Sequence, residues 1–363
     1  MAYKYSRYIG RLSRFPWAIL PEKFAVIAEL MRERAAGHKV SDEEIVARLG
    51  SDYDAERPTS RQDGAIAVIP VHGTIAHRAD SFEASSGGTS TELIGKFLRQ
   101  AVADESVKGI LLDFASPGGS VEGVPEIAAQ IAKAATVKPV VAHVNALAAS
   151  AGYWLASQAT EIVATPSGMV GSIGVFLLMI DESEALAKEG IKVNAISAGD
   201  YKLEGAFWEP LSDEARAHFQ SQVDAVYRDF LGAVAKGRGV SVADVKKNYG
   251  QGRVFDAKEA LSRGMIDRIG TMDETLGRML GGKINNKRRA MAAAAIVVQA
   301  TDGLGNVVDA LHEHQDRQVV AALEGAAQTM TEADAPAVPE APAVEIVDPV
   351  AAEHAAIIAS LTE

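Results

Sequence analysis

At 363 residues with no cysteine, the chain has length for one sizeable core plus arms. Disulfides, thiolate metal sites and a cysteine nucleophile are excluded. A formal net charge of −12 argues against a general nucleic-acid binder, which would be basic. Hydrophobic residues at 48% and a mean hydropathy of +0.03 describe an ordinary globular composition.

The opening Met1 to Pro21 is broken by Lys4, Arg7, Arg11 and Arg14. Its longest apolar stretch, Phe15 to Leu20, is too short for a signal-peptide core. No run approaches the roughly 18 apolar residues that span a bilayer, so the expectation is a soluble, cytoplasmic chain without a membrane partner. Helices are predicted from Pro21 through Met31 and from Ser41 to Leu49, where Ser41 followed by Glu44 makes a capping box. Ser51 to Asp63, polar and holding Pro58, reads as a linker, which makes residues 1–63 a helical arm and linker.

Residues 64–281 alternate strand-like and helix-like patterns. Short apolar runs bounded by Gly and Pro predict strands at 65–69, 109–114, 139–143, 161–164, 171–176 and 192–196. Helical segments are predicted near 90–104, 121–135, 148–158 and 181–189. A longer helix follows from Ser212, with Phe219, Val223, Val226, Phe230 and Val234 on one face. The alternation implies an α/β domain with crossover connections. Residues 282–363 form a tail: a basic cluster (Lys283, Lys287, Arg288, Arg289), an Ala-rich segment, then a Pro/Ala/Glu tract that cannot bury enough apolar surface to offset chain entropy. This tail is expected to be largely disordered.

Four local features carry chemistry. Ser116-Pro117-Gly118-Gly119-Ser120 sits at a strand-to-helix turn, where glycines let backbone N–H groups face a ligand, as in an oxyanion hole; alone, such a motif is more often just a turn. In Asn145-Ala-Leu-Ala-Ala-Ser150-Ala151-Gly152-Tyr153-Trp154, small residues flank one serine, which is either an approachable hydroxyl or a helix cap. Ala151 would follow it with a free N–H. Ser172, in Val170-Gly171-Ser172-Ile173-Gly174-Val175, marks a close approach within a strand or a simple bulge. Lys202, in Gly199-Asp200-Tyr201-Lys202-Leu203-Glu204-Gly205, serves as a base only if desolvated; otherwise it is a surface charge.

In this order the four features resemble the signal peptide peptidase A family, including its phage branch of prohead (head-maturation) proteases, over roughly residues 64–281. Ala149-Ser150-Ala151-Gly152-Tyr153 is similar to the family's nucleophile run, with Ala151 where glycine is commoner. Gly199-Asp200-Tyr201-Lys202 is similar to its base-lysine run, and Gly252-Arg253-Val254-Phe255 with Ala257, Ala260, Gly264 and Asp267 resembles the stretch that closes its domain. The resemblance implies a serine endopeptidase with Ser150 as nucleophile, Lys202 as general base, Ser172 orienting the lysine, and Gly118, Gly119 and Ala151 forming the oxyanion hole. It implies no metal or cofactor. It further implies a crotonase/Clp-protease-like fold of repeated ββα units and a ring-like homo-oligomer in which the lysine comes from a neighbouring subunit.

The arm, including Trp17-Ala18-Ile19-Leu20-Pro21, and the scaffold-like tail resemble the phage branch. Protein substrates are then scaffold, portal or capsid precursors, and the chain's own tail. A cellular signal-peptide-degrading peptidase is the alternative within the family. A crotonase-type acyl-CoA enzyme and a non-catalytic ring-forming assembly protein are the alternatives outside it. His72 and His143 are alternative bases in a Ser-His arrangement; His312, His314 and His354 lie in the tail.

Overall fold

The computed structural model describes residues 16–35, 60–78 and 88–284, with single positions between 38 and 48. From 285 on, the tail lies outside the described residues, as does most of the linker. In the arm, β1 (Trp17–Ile19) leads into α1 (Pro21–Ala35). The capping box is formed: Glu44 N–H donates to Ser41 Oγ and Ser41 N–H to Glu44 Oε2, both at 3.2 Å.

After β2 (Arg61–Asp63) one pattern repeats. A long strand, β3 (Ile66–His72), is followed by short β4 (Ile75–Ala76) and β5 (Thr89–Ser90), then α2 (Thr91–Ala103). Next come β6 (Gly109–Ser116), short β7 (Gly118–Ser120) and α3 (Val124–Val137), and then β8 (Val140–Ala149) runs directly into α4 (Ala151–Ala156). These are the expected ββα units, with the third lacking its short strand. Several helices start on a capping side chain; Ser90, for instance, accepts from Leu93 N–H at 3.1 Å, satisfying one of the donors a helix start leaves open.

The long strands pair in parallel, β3 with β6 and β6 with β8. All eight residues of β6 are buried, as a parallel strand covered on both faces requires. β9 (Glu161–Ala164) and β10 (Met169–Gly171) both join β8, and β11 (Val254–Asp256) closes one edge antiparallel to β10. A second, four-stranded sheet has the order β1-β7-β4-β5. The remaining elements are α5 (Ser183–Lys188), α6 (Asp213–Arg238), α7 (Val242–Asn248), α8 (Ala257–Ser262), β12 (Arg268–Ile269) and α9 (Met272–Leu280). On one sheet face α9 sets Leu276 and Met279 against Val68, Leu111 and Val141. On the other, Trp154 of α4 stacks on Phe230 of α6 with ring centroids 4.5 Å apart.

Two expected strands differ. The run 171–176 keeps only Gly171 in β10, because Ser172 turns out of the sheet with φ 54°. The run 192–196 forms no strand and is exposed, Ile196 completely; its β-forming residues meet no sheet edge on which that propensity could act. The helix predicted from Ser212 is α6, capped by Ser212, yet only Phe230 and Val234 of its apolar face are buried. Among the described residues no helix is long and apolar enough to cross a membrane.

Candidate active site

The site starts from a fork in β8. Val141–Val144 pair with β9, whereas Leu147–Ala149 pair with β10. The change of partner falls where the pairing with β6 shifts register, between Phe114 and Ala115. Bulges of this kind re-aim a strand end. Here the end of β8 is steered onto β10, so the paired residues Ala149 and Gly171 are each followed by a serine, Ser150 and Ser172. Ser150 N–H donates to Gly171 O at 2.8 Å, and Ser172 N–H to Arg253 O at 2.7 Å. The Gly-Arg-Val-Phe stretch thereby fixes the second serine.

Ser150 makes the turn from strand to helix in one residue, at φ 55° and ψ −119°. Side chains other than glycine avoid this region, at a cost of about 1–3 kcal/mol. A sharp strand-to-helix turn lifts a nucleophile clear of both elements. The residue is 1% exposed, and among the described residues its hydroxyl reaches only Gly174 O, at 3.5 Å. Ala151 opens α4, so its N–H is one that a helix start leaves without an intrahelical acceptor. Gly152 leaves room for Ser116, whose carbonyl oxygen would lie 3.3 Å from an added Cβ.

The Pro-Gly-Gly turn lies against the serine. A Cβ on Gly118, which has φ +100°, would sit 2.9 Å from Ser150 Cβ. Ser116, fully buried, organises this turn: its Oγ donates to Gly73 O at 2.7 Å and accepts from Gly118 N–H at 3.2 Å. The role of the Ser116 side chain is not among the sequence expectations; a serine closing a fully buried strand is the signal that could have found it. Gly119 is clamped between strands, since an added Cβ would come 1.8 Å from Ile75 O and 2.6 Å from Ile75 N. Because backbone cannot yield there, Gly119→Ala is expected to cost about 3 kcal/mol. Thermal melting should fall by about 6–12 °C; a Tm within about 2 °C of wild type would show that the small sheet has slack.

Lys202 is not brought to these groups. It lies exposed in a turn, its N–H donating to Gly199 O at 3.1 Å. Among the described residues no hydrogen bond joins it to Ser150 or Ser172. The turn is anchored at Gly205, which packs against Met179 and Phe219.

The two histidines are otherwise engaged. His143, fully buried, meets Thr275 Oγ1 through Nδ1 at 3.2 Å. That hydroxyl donates to Thr271 O, so Nδ1 carries the proton. Burial holds the imidazole below its usual pKa. His72 Nε2 lies 3.3 Å from Asp113 Oδ2. Among the described residues neither histidine is hydrogen-bonded to Ser150.

The chain is similar to several known proteins. Residues 132–283 match the model of peptidase family S49. Capsid assembly protease C of Escherichia phage lambda is 30% identical over 285 residues, 74% of this chain and 64% of that protein. The head-tail preconnector protein GP5 of Enterobacteria phage P21 is 34% identical over 61% of this chain and 44% of its own. Protease 4 of Haemophilus influenzae is 34% identical over 59% of this chain and 34% of its own. The chain thus spans from a third to under two thirds of these relatives' lengths. Over residues 132–283, this chain is similar to peptidase family S49.

Proposed function

We propose that the chain is a serine endopeptidase with a Ser-Lys dyad that cleaves scaffold, portal or capsid precursors, and its own tail, during procapsid maturation. The observation that carries this is the strained backbone of Ser150, set beside the Gly118 turn and one residue past the Ala149–Gly171 pair. Two phage relatives, a capsid assembly protease and a head-tail preconnector protein, support the maturation role.

In the mechanism Ser150 Oγ attacks a peptide carbonyl carbon while neutral Lys202 Nζ takes its proton. Ser172 orients the lysine. The oxyanion is held by the Ala151 N–H and by Gly118 or Gly119. The Gly118 bond to Ser116 Oγ is long enough for an oxyanion to outcompete it, since a charged acceptor makes the bond roughly twice as strong. The lysine ammonium then protonates the leaving amine, and water releases the acyl group from Ser150.

Lys202 reaches Ser150 of a neighbouring subunit in a ring. Its exposure, with Val193, Ile196 and Tyr201 exposed in the same stretch of chain, supports this reading, because a lysine becomes a base by desolvation against a further surface.

Intact mass after incubation tests the proposal, on the full chain and on Ser150→Ala. Wild type is expected to shorten through loss of tail residues while Ser150→Ala keeps full length. Equal trimming of both would assign the cleavage to another protease.

A further inference from the structure

Residues 16–20 run as a strand between the two segments that frame Ser150. On one side β1 pairs antiparallel with β7, with Ala18 opposite Gly119 and Ile19 opposite Gly118. Leu20 N–H donates to Pro117 O at 3.0 Å and Val121 N–H to Pro16 O at 3.3 Å. On the other side Trp17 and Phe176 exchange both backbone hydrogen bonds, at 2.8 and 3.0 Å. Phe176 lies two residues beyond Gly174, whose carbonyl meets the Ser150 hydroxyl. The strand is therefore hydrogen-bonded along both edges.

It passes the serine at the Ala18–Ile19 peptide. The position of an added Gly118 Cβ is 2.2 Å from Ala18 O, 3.0 Å from Ile19 Cα and 2.9 Å from Ser150 Cβ. Ser150 Cβ and the Ala18 carbonyl oxygen can thus be no farther apart than two of those distances end to end. The bonded pairs of an antiparallel ladder alternate. With Leu20–Pro117 and Pro16–Val121 bonded, Ala18–Gly119 is the bonded pair between them, so the Gly119 N–H faces the Ala18 carbonyl.

Side chains alternate as in any strand. Ala18 points into the main core and is fully buried. Trp17 and Ile19 pack on the arm, with Phe24, Ile27 and Phe176. Phe24 sets a ring edge against both Trp17 and Phe176, at 5.1 and 5.2 Å, and so ties α1 to the strand and to the Phe176 wall of the cleft.

We infer that residues 16–20 fill the peptide-binding cleft as an internal strand held by α1, and that an extended polypeptide binds only by displacing them. The inference rests on the peptidase reading for what the cleft accepts. Strand addition draws affinity from main-chain hydrogen bonds and selectivity from alternate side-chain pockets. The inward pocket, filled here by Ala18, takes a small side chain.

Binding and turnover judge the two readings separately. In a Ser150→Ala background, a fluorescein-labelled peptide of residues 14–22 is titrated into the full chain and into its Phe24→Ala/Ile27→Ala form, which loosens α1 but leaves the cleft. Apparent affinity scales with the fraction of open clefts, so the loosened form is expected to bind at least about tenfold tighter. Ile19→Asp, which places a carboxylate in the arm's apolar seam, replaces the double variant if that one unfolds. Equal binding by both forms, or by neither, overturns the inference. With Ser150 intact, kcat/KM for a fluorogenic peptide should rise with the same substitutions. Ser150-dependent hydrolysis unchanged by loosening the arm also overturns it and leaves the peptidase reading standing. Tighter binding by the loosened form without Ser150-dependent hydrolysis keeps the inference and removes the peptidase.

Discussion

Ser150→Ala and Ser150→Gly are expected to lose peptidase activity alike, by at least about 10³-fold, and to differ in stability. Both remove the attacking oxygen. Alanine keeps a Cβ at φ 55° and ψ −119° and so keeps the strain. Glycine relieves about 1–3 kcal/mol of it and gives back about 0.5–1 kcal/mol through its freer unfolded chain. A net gain near 1 kcal/mol corresponds to about 2–4 °C in Tm for a domain of this size. Melting should therefore rank Ser150→Gly above Ser150→Ala, with wild type beside the alanine variant. Equal melting of the two variants would mean that the turn is relaxed, and the strain argument for a nucleophile would go with it.

Lys202→Ala is expected to fall to the same background, and mixing should restore what neither variant has alone. In a head-to-tail ring each site would combine Ser150 of one subunit with Lys202 of the next. Co-folding equal amounts of Ser150→Ala and Lys202→Ala chains then leaves about one site in four with both intact groups, and hydrolysis should return to about that level. A dead mixture of two dead variants would place the lysine in the same chain as its serine. Activity retained by Lys202→Ala alone would remove it from the mechanism and reopen the question of the base.

The central strands β3, β6 and β8 were legible because they are long, mostly apolar and largely buried; β6 needs no context to be read as a strand. Ser150 stood out through its small neighbours, which pack the start of α4. Its backbone angles did not, since nothing in Ala-Ala-Ser-Ala-Gly demands a positive φ; the demand comes from β10 on one side and α4 on the other. The pairing of β1 with β7 was equally hidden. Each strand has three residues, too short for a period, and they are joined only in three dimensions. The run 192–196 misled for the converse reason: its residues favour a strand, and the chain supplies no edge. Ser116 is overshadowed in the sequence by the glycines beside it, while its own bonds to Gly73 and Gly118 depend on β3 lying alongside β6.

The register of Ser150 with Ser172 is a property of one rung of the sheet ladder, Ala149 beside Gly171. Adjacent strands keep a spacing of about 4.8 Å whatever chain joins them. The turn at Pro166 and Ser167 is exposed and lies off that rung, so residues gained or lost there would renumber the second serine without displacing it. Separation along the chain and separation in space are uncoupled at this point. Two relatives whose serines differ in sequence interval by several residues could still share one geometry, and aligning their sheets rather than counting residues is the way to see it.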